Sequence, residues 1–262
     1  MADLTLVLRQ TYYGLKSTRR NPRAVVFALL FPIVFLFLFN SIFASGNNNG
    51  VEVGGTHLDA ETYFTAGLIA YAIMLNCYST LIVSLTTQRE SGQLKRYRGT
   101  PVPAWTFIAS LVLRSVVLVA VMVSVMLAIG AAAYGVDIHG AGVVGLVVYA
   151  LLGTATMCAL GIAVSAFCPN ADAAGTVGPF TAVILSFISS VFIPIDQLPS
   201  WLQEVGKVFP LYHLAVGLQV SFGVDSGTGL SANNLAVLGV WAFGSAVVAA
   251  RAFRWEPQSA RG

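Results

Sequence analysis

The chain has 262 residues, of which 56% are apolar and 10% are charged, and its formal net charge is +3. Soluble domains carry about 25% charged residues, so this composition excludes an ordinary water-soluble fold. Several nearly uncharged runs reach the ~20 residues that an α-helix needs to cross about 30 Å of hydrocarbon. The sequence therefore predicts an all-α polytopic membrane protein.

Residues 1–23 are predicted to form an amphipathic helix that lies in the membrane interface. Leu4, Leu8, Tyr12 and Leu15 recur three to four residues apart on one side of this helix. The cations of the segment lie on the opposite side, and they are Arg9, Lys16, Arg19, Arg20 and Arg23. A helix with one apolar and one basic face binds along a bilayer surface rather than across it.

Six runs that are nearly free of charge are predicted to cross the membrane. They cover residues 24–43, 63–86, 107–130, 143–167, 174–194 and 233–251. A further apolar stretch lies between the last two runs and is interrupted by Pro199, Pro210, Gly217 and Gly223. Because proline and glycine interrupt helices, residues 195–225 are predicted to form a re-entrant hairpin of two short helices.

The positions of the cations predict the orientation of the chain. Outside the N-terminal segment, most of them fall into two groups: Arg89, Lys95, Arg96 and Arg98 after the second run, and Arg251, Arg254 and Arg261 at the C-terminus. The connections on the other side hold only Lys207, among six acidic residues. Connections rich in Lys and Arg stay in the cytoplasm, so both termini are predicted to be cytoplasmic and the hairpin extracellular. A seventh crossing would place the C-terminal arginines outside, which favours six crossings.

No catalytic or nucleotide-binding pattern occurs in the sequence. The one Gly-Lys pair, Gly206-Lys207, is followed by Val208 rather than by Ser or Thr, so the P-loop that cradles ATP phosphates is absent, and there is no His-Glu-x-x-His zinc pattern. Cys77, Cys158 and Cys168 lie in or beside apolar runs, so neither a disulfide nor a metal site is predicted. Arg114 is the only charge well inside a run, and no carboxylate for ion coupling lies near a midplane. The chain is therefore predicted not to be an enzyme and to take its energy from another protein.

One connection combines a basic run with a glycine-proline stop, and it reads R-E-S-G-Q-L-K-R-Y-R-G-T-P-V-P from Arg89. By charge alone it also fits a topology-setting loop that binds anionic lipid. The string resembles the first cytoplasmic loop of type-2 ATP-binding-cassette permeases of the drug- and polysaccharide-export class. The strings F-I-P-I-D-Q-L-P-S-W-L-Q and F-P-L-Y-H-L-A-V-G-L are similar to the hairpin after the fifth span of that family. With the amphipathic start and the spacing of the runs, the resemblance covers the whole chain.

The resemblance implies a function for each string. Residues 88–101 correspond to the coupling helix, which contacts the nucleotide-binding subunit. The residues implied in this ATPase coupling are Glu90, Gly92, Lys95, Arg96, Gly99, Thr100 and Pro101. The later strings correspond to the extracellular hairpin that closes the outer end of the path. The residues at the matching hairpin positions are Ile193, Pro194, Leu198, Pro199, Trp201, Pro210 and Leu211.

The resemblance also implies the partners. The chain holds one six-span unit, so a pathway requires a second copy or a sister permease, together with two ATPase subunits that bind ATP and magnesium. The chain itself is expected to bind no cofactor and no nucleic acid. It is expected to lie among the lipids of a bacterial plasma membrane.

Aromatic side chains give the one indication of cargo. A stripe recurs every four residues along the first run, and tyrosines recur at a spacing of seven along the second. The candidate path residues are Phe27, Phe31, Phe35, Phe39, Tyr71, Tyr78 and Asn76. The phenylalanine stripe is more typical of a ridge that faces lipid or packs on a helix, whereas buried tyrosine hydroxyls need polar partners. If both faces border the path, the cargo is amphiphilic.

We therefore expect the permease subunit of an ATP-driven exporter that moves a drug-like or lipid amphiphile, as in multidrug efflux and antibiotic resistance. Export of a polysaccharide or glycolipid precursor is the alternative within the same class. A membrane anchor or regulatory subunit that transports nothing is the alternative from another class.

Overall fold

The computed structural model describes residues 2–20, 22–43, 50–137, 140–224, 227–253 and 255, with the backbone alone at residues 2, 22–29 and 43. This part of the chain is almost entirely helical. Its helices are α1 (Ala2–Arg19), α2 (Pro22–Phe43), α3 (Ala60–Met74), α4 (Thr80–Glu90), α5 (Gln93–Arg98), α6 (Ala104–Tyr134), α7 (Gly142–Ser165), α8 (Ala171–Ile188), α9 (Ser200–Val208), α10 (Pro210–Gly223) and α11 (Ala232–Ala252). Two short strands, β1 (Val51–Val53) and β2 (Thr56–Leu58), form an antiparallel hairpin.

Within the described residues, five helices are long and apolar enough to cross a membrane, which is consistent with an all-α polytopic membrane protein. The first of them is continuous over residues 60–90, because a π-helical turn at Leu75–Ser79 joins α3 to α4. The others are α6, α7, α8 and α11. The predicted first run, 24–43, falls on α2, whose described apolar part, Leu30–Ile42, is shorter than a full crossing. The count of six crossings therefore stays a prediction.

α3 lies at the centre of the fold, and nearly all of its side chains are buried. α10 packs between α3 and α7, while α11 packs mainly on α7. Glycines permit the close approach of α7 and α10: a Cβ on Gly217 would collide with the ring of Tyr149, and one on Gly153 would collide with Leu214. α6, α8 and α11 instead turn exposed apolar faces outward, as helices in contact with lipid do.

α1 packs along the beginning of α6 with a face that sequence analysis did not select. Val7 and Thr11 are buried there, and Gly14 lies against Arg114, whose Cδ would be 3.0 Å from a Cβ at that glycine. The predicted apolar stripe is a second face, on which Leu4 and Leu8 are 64% and 55% exposed. α1 is thus held by the protein on one side and keeps an apolar stripe free on another.

The β-hairpin was not predicted from the sequence. Gly54 and Gly55, with φ of +58° and +80°, form its two-residue turn, which requires positive φ at both positions. The hairpin covers the start of α3, because Val53 and Leu58 are buried in one cluster with Tyr63.

The predicted run 174–194 extends six residues beyond the end of α8 at Ile188. The helix ends early because the following backbone turns sharply and Ser190 adopts a φ of 58°. The hydroxyl of Tyr63 donates to the Ser190 carbonyl oxygen at 2.7 Å, and the Gln219 side chain donates to the same oxygen at 2.8 Å. These bonds from α3 and α10 hold the turn in place.

Candidate coupling surface and transport path

The predicted coupling string, 88–101, is not one helix. α4 ends at Glu90, Gly92 adopts a left-handed φ of 72°, and the six residues of α5 follow. Gly92 permits the sharp change of direction, since residues with a Cβ rarely adopt that φ. α5 has one buried side, anchored by Leu94 at 1% exposure. Its other side is basic and exposed, with Lys95, Arg96 and Arg98.

Tyr97 attaches α5 to three other parts of the chain. Its hydroxyl accepts a hydrogen bond from the Gln10 amide of α1 at 2.7 Å. Its ring lies 4.9 Å from the ring of Phe107 in α6 and 6.2 Å from that of Trp255. The N-terminal helix, α5, the start of α6 and the C-terminal segment therefore meet at one end of the molecule, which we call the basic end.

Arg89 and Glu90, at the end of α4, bind the two helix ends of the α7–α8 connection. Arg89 is 3% exposed, and its guanidinium donates to the carbonyl oxygen of Ser165 at 3.0 Å and also to that of Cys168. The Glu90 carboxylate accepts the backbone N–H of Ala171 at 2.8 Å. A cation at the C-terminus of α7 and an anion at the N-terminus of α8 both complement the helix dipoles. We call this pair the α4 clamp.

The sequence-predicted coupling residues are close together in the structure. Those that are exposed are Glu90, Lys95, Arg96, Gly99, Thr100 and Pro101, while Gly92 is half-buried. The Glu90 carboxylate accepts a hydrogen bond from Ala171 of the same chain, whereas the basic side chains of α5 extend into the surroundings. Arg89 was expected only to orient the chain, and its contact with the end of α7 was not predicted. The signal available was an arginine beside a carboxylate at the end of an apolar run.

The phenylalanine stripe of α2 packs on protein. Phe31 and Phe35 stack at 4.4 Å, and Phe31 lies 5.9 Å from Tyr71 of α3. Phe35 and Phe39 lie 5.7 Å and 5.4 Å from Phe192, in the turn after α8. This arrangement is the helix-packing ridge that sequence analysis favoured, although Phe31 stays 41% exposed. The side chain of Phe27 lies outside the described part.

The other candidate path residues lie in or near the π-helical turn. The Tyr78 and Thr181 hydroxyls are 2.9 Å apart, which joins α3–α4 to α8. The Asn76 amide donates to the Met122 sulfur of α6 at 2.6 Å. Gly161 lies so near the turn that a Cβ would be 2.8 Å from the Tyr78 carbonyl oxygen. Tyr71 and Tyr78, about 10 Å apart along the helix, therefore contact different neighbours.

The predicted hairpin residues lie on and beside α9 and α10. Pro194 is buried before a 3₁₀ turn, Ile195–Gln197, and Pro210 is buried at the first position of α10. Leu198 is half-buried, whereas Pro199 and Trp201 are exposed, Trp201 at 67%.

α9 is mostly exposed. Glu204, 2.9 Å from Lys207, raises the pKa of that lysine by hydrogen bonding and by its charge. Two short helices are thus present, and their re-entry into a membrane stays a prediction.

Known proteins match most of the chain. The family model described as "ABC-2 type transporter" matches residues 6–222. YvfS of Bacillus subtilis, named as a transport permease, is 20% identical over 214 residues, which are 82% of this chain and 84% of YvfS. DrrB1 of Streptomyces coeruleorubidus, named as a daunorubicin resistance ABC transporter permease protein, is 25% identical over 219 residues, or 81% and 73% of the two chains. YbhR of Escherichia coli, named as a multidrug ABC transporter permease, is 22% identical over 161 residues, or 60% and 42%.

The family match covers well over half of the chain, and it confirms the family that the loop and hairpin strings predicted. Permeases of this family work with a nucleotide-binding ATPase subunit. The chain belongs to the ABC-2 type transporter family and is a membrane permease component, not a catalytic subunit, of an ABC transporter.

Proposed function

We propose that this chain is the permease of an ATP-driven exporter of amphiphilic molecules and that α5 is its docking element for the ATPase. The observation that carries the proposal is the exposed basic side of α5, which is joined through Gly92 to the α4 clamp. A single unit of this size offers half of a pathway. Two copies, or one copy and a sister permease, stand above a pair of ATPase subunits that bind ATP and magnesium.

The proposed topology has six crossings, with both termini in the cytoplasm of a bacterium and the α9–α10 hairpin at the extracellular side. Support comes from the basic end, where Gln10, Tyr97 and Trp255 bring the N-terminal helix, α5 and the C-terminal segment together. These are the segments that hold most of the cations, and such segments stay in the cytoplasm. α2 then supplies the first crossing, since its 22 residues are long enough to span.

A movement of α5 can be transmitted to the membrane helices through few intervening contacts. α5 follows α4 after two residues, and the α4 clamp holds the end of α7 and the start of α8. Helices are stiff, so a rigid-body shift of the ATPase moves α4, α7 and α8 together. Gly92 lets the angle between α4 and α5 change without strain at that residue.

The cargo class rests on two supports. Of the relatives, YbhR is named as a multidrug transporter permease and DrrB1 as a daunorubicin resistance permease. In this chain the half-exposed end of the phenylalanine stripe, at Phe31, lies beside Tyr71 and offers aromatic contact. We therefore propose a drug-like or lipid amphiphile as cargo.

Co-purification tests the docking proposal. The tagged chain is isolated from its own host, and the bound fraction is assayed for a protein with Walker motifs and for ATP hydrolysis. We expect recovery with the native chain and at least tenfold less with Lys95→Glu/Arg96→Glu.

Lys207→Glu is the matched control, because it reverses one exposed charge on α9, away from α5. A complex without any ATPase contradicts the exporter and favours a membrane anchor. Equal recovery with the α5 double variant contradicts the docking role.

A further inference from the structure

An apolar cavity of about 410 Å³ lies between α6, α7 and α11 at the basic end. Its volume falls within the ~300–1,000 Å³ that is usual for small-molecule sites. Every lining side chain is an alanine, an aliphatic or an aromatic residue. The cavity is separate from the aromatic ridge of α2 and from the α4 clamp.

The cavity exists because alanines face each other on two helices. Ala155 and Ala159 of α7 line one wall, and Ala246 and Ala250 of α11 line another. Residues four apart share a helix face, so each pair opens a continuous strip of space. A larger side chain at any of these positions would fill that space.

The chemistry of the lining selects an alkyl chain as occupant. Drug-like ligands are oriented by a few polar groups in an otherwise apolar pocket, and the indole N–H groups of Trp105 and Trp255 are the sole polar side-chain groups of this lining. A saturated or unsaturated acyl chain needs no such partner, and the surrounding helices lie in hydrocarbon. Trp105, 53% exposed, and half-buried Trp255 lie at the mouth. Tryptophans favour the headgroup level of a bilayer, so the mouth opens there.

Exposed cations neighbour the lining residues in the chain. Arg251 is exposed between Ala250 and Phe253, both of which line the cavity. Arg96 and Arg98 are exposed on either side of Tyr97, whose ring stacks with that of Trp255. Basic side chains at the surface attract anionic headgroups. We propose that this cavity binds one acyl chain of an anionic phospholipid, whose phosphate lies against Arg251.

Tryptophan fluorescence tests the site on the isolated full chain and does not depend on any ATPase or cargo. The chain has four tryptophans, and Trp201→Phe/Trp241→Phe leaves the two that line the cavity. This variant is placed in phosphatidylcholine vesicles that contain dibrominated phosphatidylglycerol or dibrominated phosphatidylcholine. Bromine quenches a tryptophan that it contacts. We expect half-maximal quenching at about fivefold lower mole fraction of the brominated phosphatidylglycerol.

Two further variants separate the chain site from the headgroup site. In the same background, Ala159→Phe fills the cavity and removes the saturable quenching, whereas Ala120→Phe on an exposed part of α6 leaves it unchanged. Ala250→Phe repeats the test from α11 should the first variant fail to insert. Arg251→Gln keeps the quenching and reduces the preference for phosphatidylglycerol.

Unchanged quenching in Ala159→Phe and Ala250→Phe overturns the acyl-chain site. Equal quenching by the two headgroups overturns the anionic preference. Absence of quenching by both lipids also overturns the proposal.

Discussion

The two ends of the helix bundle are held together by different kinds of interaction. At the basic end, the charged side chains of Arg89 and Glu90 bind helix termini, and a left-handed glycine separates them from an exposed helix. At the other end, which we call the hairpin end, the buried neutral side chains of Tyr63 and Gln219 bind one carbonyl oxygen. The α4 clamp holds the basic end through hydrogen bonds from charged side chains to helix termini, whereas backbone approaches backbone closely at the hairpin end, as at Gly67 and Val191.

This difference has a physical consequence for movement. A charged side chain on a helix end tolerates small rotations, because the helix dipole acts over the whole terminal turn. At the hairpin end, Gly67 lies against the carbonyl oxygen of Val191. Such a close backbone contact tolerates very little movement, because the atoms are already at van der Waals distance. We therefore expect the basic end to receive motion and the hairpin end to resist it. Variants at the two ends should therefore differ in how much they lower the free energy of unfolding.

Arg89→Ala is expected to have the largest effect. It removes the charge-assisted bonds to the carbonyl oxygens of Ser165 and Cys168, in a position that is 3% exposed. Such bonds contribute about 1.5–3 kcal/mol each, so the free energy of unfolding in mixed micelles should fall by about 3 kcal/mol. Arg9→Ala, at an exposed position of α1, is the control. A loss below that of the control would mean that the α4 clamp adds nothing to stability.

Gly67→Ala probes the close packing of the hairpin end. A Cβ at Gly67 would be 2.8 Å from the carbonyl oxygen of Val191, so backbone must move. Overpacking costs about 1–3 kcal/mol, and we expect a net loss of about 2 kcal/mol in the same unfolding assay.

Gly175→Ala on α8 is the matched control, because a Cβ there meets nothing within 4 Å. It should stabilise the protein by up to about 1 kcal/mol through helix propensity. Equal effects of the two alanines would contradict the tight packing of the hairpin end.

The sequence predicts part of this arrangement. Five long apolar helices each overlap an uncharged run, because few structures other than a helix satisfy the backbone of about 20 apolar residues in a bilayer. The basic side of α5 also follows from residue types, whereas the break at Gly92 was not predicted, because residues 88–101 were expected to form one helix. The β-hairpin could have been found from Gly54-Gly55 between Val51, Val53 and Leu58, which is a short-range turn signal.

The contacts between distant segments could not be predicted in this way. An arginine that orients a loop and one that caps a helix 76 residues away look alike in sequence, as Arg89 demonstrates with Ser165. The early end of α8 depends on Tyr63 and Gln219, which reach it from α3 and α10. The apolar cavity likewise needs α11 to pack beside α6 and α7, from which it is far apart in the chain.

Tyr63→Phe sharpens the comparison at the hairpin end with a smaller change. It removes the hydroxyl that donates to Ser190 at 2.7 Å and leaves the ring in place. A neutral hydrogen bond contributes about 0.5–1.5 kcal/mol, so we expect a loss of about 1 kcal/mol in mixed micelles. Tyr13→Phe is the control, since Tyr13 is 57% exposed. An effect no larger than that of Tyr13→Phe would contradict a role for this bond in holding the turn.

Glu90→Gln should have the smallest effect on stability and a large effect on transport. Glutamine keeps an oxygen that can accept the Ala171 N–H but removes the charge at the start of α8, which contributes about 0.3–1 kcal/mol. If the charge fixes α8 to α4, export in vesicles that contain the ATPase should fall severalfold while ATP hydrolysis continues. Glu204→Gln, an exposed carboxylate of α9, should change neither rate. Full export by Glu90→Gln would assign the clamp to assembly of the fold rather than to the passage of motion, and a parallel fall in ATP hydrolysis would place Glu90 at the ATPase contact instead.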